Sequence, residues 1–234
     1  MDLSIVIPAY NEAERLPATL RRIAAYLQHD GRSVEVLVVD DGSSDATYRV
    51  AEQAPLTVRV IRQPKNMGKG AAVRTGMATA EGEWRYLCDA DLSTPIDDLE
   101  KMWSRRHEAE IILGSRRAAG AQVEKHQSWW KETLGQLGNG LIQLLAAPGI
   151  KDTQCGFKLF HRRTGVLFQQ QRLDRWGYDF EILFLARLAG FRMLEVPVRW
   201  VNDPRSRVRL TDYLTTLGDL VKIHYFRLRG YYKF

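Results

Sequence analysis

The sequence predicts an α/β fold: a mostly parallel sheet with helices on both faces and amphipathic helices toward the C-terminus. Three observations carry that expectation. Short apolar runs alternate with segments of helical period through the first half of the chain. The run Val34–Val39 is apolar but for Glu35, the mark of a strand covered on both faces. Several of these runs end in acidic or turn-forming residues, and a parallel sheet would gather those ends along one edge.

The elements follow in order. Leu3–Pro8 is a short apolar run, read as the first strand. Ala13–Gln28 sets Leu16, Leu20, Ile23, Ala24 and Leu27 at helical spacing. After the second strand, Val34–Val39, a helix is expected over Asp45–Gln53, then a third strand at Val58–Ile61. Lys69–Ala80 reads as a helix and Trp84–Cys88 as the fourth strand. Thr94-Pro95-Ile96-Asp97 has the form of a helix start, with a hydroxyl cap, a first-turn proline and an acid. Glu110–Gly114 is the fifth strand, and the small, polar Ala118–Lys125 is a loop. Gln127–Ala147 is helical, with Trp129, Trp130, Leu134, Leu137, Leu141, Ile142 and Leu145 as its apolar side. A helix at Phe180–Leu188 leads to a strand at Met193–Trp200, a charged loop at Asn202–Arg209 and a final amphipathic helix, Tyr213–Leu228.

Composition narrows the class. A chain of 234 residues, 45% hydrophobic, can bury one sizeable core, so a single domain over 1–234 is expected. The net charge of +6 is uneven: Arg192–Phe234 holds nine Lys/Arg against four Asp/Glu. Such a tail points to phosphates, nucleic acid or an anionic membrane surface. Nucleic acid is the weakest of these, because acidic strand exits repel phosphate unless a metal intervenes. No apolar run approaches the ~18 residues that a spanning helix needs. Cys88 and Cys155 stand far apart, with neither metal nor redox spacing, so both read as small buried residues in a reduced, cytosolic setting. The five histidines form no H-x-x-x-H, and Met1 leads almost directly into a strand, with no signal peptide.

Four strand exits could carry chemistry. The fourth strand runs into Asp89-Ala90-Asp91, which sets two anionic oxygen ligands where the chain leaves the sheet. That suits a hard divalent cation, which in turn can hold a diphosphate. The first strand ends in Pro8-Ala9-Tyr10-Asn11-Glu12, where the tyrosine could stack on a base. The second ends in Asp40-Asp41-Gly42-Ser43-Ser44-Asp45. A tight turn with Asp45 capping the next helix explains Gly42 and Asp45. It does not by itself require two consecutive acids at Asp40 and Asp41, which could accept from a base or ribose. The third strand is followed by Asn66-Met67-Gly68-Lys69-Gly70, where free N–H groups, Lys69 and Arg74 could meet an anion. The alternative is a glycine-rich helix packed closely on the sheet. The segment does not fit G-x-x-x-x-G-K-[ST], so a P-loop is excluded.

Together, P-A-Y-N-E, V-V-D-D-G-S-S-D, N-M-G-K-G-A-A-V-R-T-G and D-A-D resemble the family 2 glycosyltransferases, whose fold is the Rossmann-like GT-A type. D-T-Q-C-G-F-K-L-F (Asp152–Phe160) and R-W-G-Y-D-F-E (Arg175–Glu181) narrow the resemblance to dolichyl-phosphate β-glucosyltransferases and related polyprenyl-phosphate glycosyltransferases. The resemblance implies a nucleotide-sugar-binding half, 1–115, and an acceptor-binding half with interfacial helices, 116–234. Pro8, Tyr10, Glu12, Asp40 or Asp41, Lys69 and Ala90 would hold the nucleotide sugar. Asp89 and Asp91 would bind Mg²⁺ or Mn²⁺ against its diphosphate. Some relatives have a further glutamine ligand where this chain has Ser93. Arg116 falls near the reacting phosphates and Asp152 near the acceptor, as orienting group or base. Arg116, Lys131 and the pair Ser206-Arg207 would hold the acceptor phosphate, with Asp91, Arg116, Asp152 and Arg207 as the catalytic set.

The implied reaction is inverting, metal-dependent transfer of a hexose, glucose from UDP-glucose foremost, to a polyprenyl or dolichyl phosphate. The attacking phosphate monoester has a second pKa of about 6, so it needs no strong base. The enzyme is expected to be cytoplasmic and peripheral at the inner face of a membrane, or cut before membrane helices. Other readings are GDP-mannose as donor, or a soluble family 2 enzyme with a saccharide acceptor. The latter typically shows E-D and Q-x-x-R-W segments, and neither is found here. The G-x-G-T-R signature of sugar-nucleotide pyrophosphorylases is also missing.

Overall fold

The computed structural model describes residues 1–124, 129–201 and 210–234, with side chains given outside 125–135 and 202–214. The chain alternates β1 (Leu3–Ala9), α1 (Leu16–Leu27), β2 (Val34–Asp40), α2 (Thr47–Glu52), β3 (Arg59–Arg62), α3 (Lys69–Thr79) and β4 (Trp84–Leu87). A 3-10 turn at Ile96–Asp98 leads into α4 (Leu99–Ser104) and β5 (Ile111–Ser115). The second half holds β6 (Gln122–Val123), α5 (Trp129–Leu145), β7 (Lys158–His161), α6 (Gly165–Gln170), α7 (Tyr178–Leu188), β8 (Met193–Pro197), β9 (Arg199–Trp200) and α8 (Leu210–Leu228).

Seven strands form one sheet in the order β3-β2-β1-β4-β7-β5-β8. Only β7 runs against its neighbours, pairing antiparallel with both β4 and β5. Sequence periodicity gave no sign of this strand, which comes from the second half and lies between two strands of the first. The two halves of the chain therefore share one sheet. Because β7 is reversed, its first residue, Lys158, lies opposite Leu87 and Leu113, at the edge where the parallel strands end.

The core has two layers, one on each face. Leu3, Ile5 and Ile7 of β1 point to one cluster, which Leu16, Leu20 and Ile23 of α1 and Leu99 and Met102 of α4 complete. Val6 and Leu37 point to the other, covered by Val73 and Met77 of α3, by Phe180 and Leu183 of α7, and by Ile223 of α8. This is why the strands read as apolar runs rather than as alternating ones.

Two local expectations are corrected. Thr94 does not cap the helix start: its hydroxyl is buried and takes no hydrogen bond, and Pro95 stands at the cap. Part of the expected loop at Ala118–Lys125 is ordered as β6, which pairs in parallel with β9. This small sheet brings Trp200 over the end of β5, where the Arg116 guanidinium lies 5.3 Å from its ring centre. Asp45 does serve the next helix, from one position outside its cap, by accepting from Thr47 N at 2.9 Å.

Candidate active site

The carboxyl ends of β1, β2, β4 and β5 meet at one edge, and the predicted motifs meet with them. Pro8 is buried within β1, and Tyr10 just beyond it is 38% exposed. Asn11 takes a left-handed φ of 53°, which asparagine tolerates. That conformation binds the exit to the next loop: Asn11 N donates to Ser43 Oγ at 2.9 Å, and Glu12 N to Thr47 Oγ1 at 2.7 Å. The Glu12 carboxylate accepts from Arg15, whose Nη1 also stands 3.6 Å from Asp91 Oδ2. Arg15 was not singled out by sequence reasoning, although it stands three residues after Glu12, at the cap of α1.

Asp40 and Asp41 are buried, and three of their four carboxylate oxygens accept hydrogen bonds from the fold. Asp40 Oδ1 accepts from Ser43 N at 3.0 Å, while Oδ2 takes no hydrogen bond and has the Arg62 Nε 3.3 Å away. Asp41 accepts from Met67 N and Gly68 N, both at 2.8 Å. Burial pushes the Asp41 carboxyl above the ordinary carboxylate range despite those two donors. The glycine-rich turn is thus tied down from inside. Gly68 adopts φ 105°, and a Cβ there would sit 2.4 Å from Asp174 O. Ala71 N also donates to Asp174 O. Three of the amides in this segment, those of Met67, Gly68 and Ala71, are therefore engaged by Asp41 and Asp174, and Arg74 pairs with Asp174 at 2.7 Å. Close packing accounts for these glycines, and Lys69 is the group this segment sends to the site.

Lys69 Nζ donates to Asp89 Oδ1 at 2.5 Å and stands 5.3 Å from the Trp176 ring centre. Burial disfavours the ammonium, but the charges of Asp89 and Asp179 outweigh it and push its pKa up to about 12. Burial likewise works against an ionised Asp89, and Lys69 reverses the sign, holding that carboxyl below its usual range. Asp91 is fixed by Ser93, whose N and Oγ donate to Oδ1 at 3.0 and 2.9 Å. Ser93 thus orients a carboxylate of the acidic turn. Between them, Ala90 is buried and its carbonyl accepts from Thr19 Oγ1 at 2.6 Å. Leu92 takes φ 45°, a strained conformation for an apolar residue, at the turn that aims the two acids.

Asp89 and Asp91 remain 27% and 22% exposed as side chains, unlike Asp40 at 0%. Two hard oxygen donors on one turn, one of them already drawing a cation, fit Mg²⁺ or Mn²⁺ in their chemistry. Among the described residues, no group of three or more His, Cys, Asp or Glu gathers as a protein cage. Diphosphate and water oxygens would supply the remaining ligands.

Arg116 follows β5, and Asp152 grips it. Nε and Nη2 donate to the two carboxylate oxygens at 2.7 and 2.8 Å, and the Arg116 backbone N–H adds a third bond at 2.9 Å. Asp152 is 1% exposed and is itself placed by Glu195, which accepts from its backbone N–H at 2.9 Å. Burial raises its pKa, but Arg116 outweighs burial and leaves it lowered. A carboxylate so occupied is a poor base and a good clamp: it presents a guanidinium whose Nη1 lies outside the fork. The Lys131 side chain, Ser206 and Arg207 lie outside the described residues.

A dolichyl-phosphate beta-glucosyltransferase of Trichomonas vaginalis is 38% identical over 99% of this chain and 75% of its own length. The Homo sapiens protein of the same description is 34% identical over 97% of this chain and 76% of its own. Among solved structures, a glucosyl-3-phosphoglycerate synthase from Mycobacterium tuberculosis, in complex with Mn²⁺, UDP and glucosyl-3-phosphoglycerate, superposes with a TM-score of 0.70 at 16% identity. That match covers 95% of this chain and 79% of the synthase, a likeness of fold. The profile of Glycosyl transferase family 2 matches residues 4–164, across every strand exit described above. On that match and on relatives aligned over nearly all of this chain, the chain belongs to glycosyl transferase family 2.

Proposed function

We propose that this enzyme transfers glucose from UDP-glucose to a polyprenyl phosphate of the dolichyl type, with inversion, at a membrane surface. The observation that carries the reading is the pairing, at one sheet edge, of an open acidic turn with a clamped arginine: Asp89 and Asp91 with Lys69, and Arg116 held by Asp152. Similarity over 97–99% of this chain, and 75–76% of theirs, to proteins named dolichyl-phosphate beta-glucosyltransferases supports the choice of sugar and acceptor.

The chemistry follows from the charges. Asp89 and Asp91 would hold Mg²⁺ or Mn²⁺, and the ion, when bound, stabilises negative charge on the diphosphate. Tyr10 lies at the mouth beside β1, where a base can stack on it. Arg116 offers a fixed cation to an acceptor phosphate, so two anions can approach without repelling each other. The phosphate oxygen attacks the anomeric carbon in line, the bond to the UDP oxygen breaks, and the configuration inverts. No proton need be removed from a largely ionised phosphate, which agrees with Asp152 serving as a clamp.

The acceptor's lipid suits the far side of the second half. Among the described residues no helix is long and apolar enough to cross a membrane. Yet α5 exposes Leu137, Leu141, Leu144 and Leu145, and its neighbour α8 exposes Leu217, Val221, Tyr225 and Leu228 at helical spacing. Lys222, Arg227 and Arg229 are exposed beside them, a composition suited to an anionic interface. The test is incubation with polyprenyl phosphate, Mg²⁺ and a panel of nucleotide sugars, with a flotation arm on anionic phospholipid vesicles. Glucosyl lipid from UDP-glucose, and protein that floats, are expected. No lipid product with any donor overturns the reaction, and protein that stays at the bottom overturns the interfacial face.

A further inference from the structure

Beneath the acidic turn lies a buried ion pair that the chemistry above does not use. Lys158, the first residue of the reversed strand β7, is 1% exposed, and Asp179 in the first turn of α7 is 5% exposed. Lys158 Nζ donates to Asp179 Oδ1 at 2.5 Å and to Cys155 O at 2.5 Å. One ammonium thus ties a helix to the turn that precedes its own strand. On that turn sits Gly156, and the Asp89 carboxylate lies directly against it: a Cβ at Gly156 would fall 2.0 Å from Asp89 Oδ2. Phe157 O fixes the turn from the other side by accepting from Gly114 N at 2.9 Å.

We propose that Lys158 and Asp179 are positioning residues, a buried pair that holds the Cys155–Gly156 turn as the shelf on which the Asp89 carboxylate rests. The role rests on the reading of Asp89 as a cation ligand. A buried pair adds little to stability compared with an apolar pair of the same shape, so its presence asks for another reason. The surroundings supply one. Lys158 grips the turn against which the Asp89 carboxylate lies, and that same carboxylate takes the Lys69 ammonium, so the buried pair stands directly behind the open acidic turn.

The experiment measures binding without turnover. Mn²⁺-dependent UDP binding is followed by calorimetry in the wild type, in the charge-free double variant Lys158→Met with Asp179→Asn, and in Gly156→Ala. Thermal melts run alongside. The double variant is expected to melt near the wild type and to bind Mn²⁺ with UDP about 10- to 100-fold more weakly, the usual effect of removing support behind a metal ligand. Gly156→Ala, which changes no charge, is expected to do the same by displacing Asp89. It decides the matter if the double variant does not fold. Lys158→Arg keeps the cation and should restore most of the binding. If the wild type binds UDP and Mn²⁺ but Gly156→Ala binds them equally well, the positioning role is wrong. If the wild type itself shows no Mn²⁺-dependent binding, the reading of Asp89 as a cation ligand falls first and takes this role with it.

Discussion

Two acidic pairs leave the same sheet edge and end in opposite states. Asp40 and Asp41 follow β2 and are buried, and Asp41 has both oxygens taken by backbone N–H groups of the next loop. Asp89 and Asp91 follow β4 and stay 27% and 22% exposed, the first held by Lys69 and the second by the Ser93 N–H and hydroxyl, which share one oxygen. Burial pushes the Asp41 carboxyl up, and Lys69 overrides burial to draw Asp89 down. Burial and backbone donors therefore leave less of the Asp40–Asp41 pair open to a ligand than of the Asp89–Asp91 pair, with Asp40 Oδ2 as the one oxygen of the first pair that takes no hydrogen bond.

That contrast can be broken by experiment. The largest effect is expected from Asp91→Ala, which should lower transfer by about 10²- to 10³-fold while the melting temperature barely moves. Near-normal turnover would place Asp91 with the structural pair. Asp41→Ala should act the other way. It leaves two amide donors without their partner and should cost about 2–4 kcal/mol in urea unfolding. Unchanged stability would remove the basis of the comparison. Asp152→Asn comes next, since it frees Arg116 from its fork. Steady-state kinetics should show roughly a 10-fold fall in kcat/KM for the acceptor. An equal loss for donor and acceptor would mean that Arg116 does not select the acceptor.

The smallest effect concerns pH. The folded pKa of Asp89 is depressed, so its pairing with Lys69 stabilises the protein above the ordinary carboxylate value. That contribution is lost as pH falls through the depressed value. Lys69→Met should therefore be less stable than the wild type at neutral pH, by about 1 kcal/mol for a partly exposed pair. The gap should close as pH falls through the depressed Asp89 value. A gap that persists there would show that Lys69 stabilises through packing rather than through Asp89.

Much of the site was legible because local pattern and ligand chemistry coincide there. Pro8 to Glu12, the Asp40–Asp41 exit, Lys69 and the Asp89–Asp91 turn all follow strands with clear apolar runs. The roles within that set were less legible. Nothing local distinguishes Asp41, which braces a loop, from Asp89, which faces solvent, because the difference lies in amides 26 and 27 residues away. Lys158 passed as part of a motif, since nothing in the local pattern marks its strand or shows that its ammonium is buried against Asp179. Thr94 had the right type and spacing for a cap, yet tertiary packing buried its hydroxyl elsewhere.

The sequence by itself determined the βα alternation, the family and the edge at which chemistry gathers, because periodicity and turn residues are properties of neighbours along the chain. The tertiary structure decided that a reversed strand enters between β4 and β5, and with it which charges are buried, which are clamped and which are left open. Those outcomes depend on desolvation and on partners tens of residues distant. A charge has no fixed role until the fold sets how much water and which counter-charge it keeps.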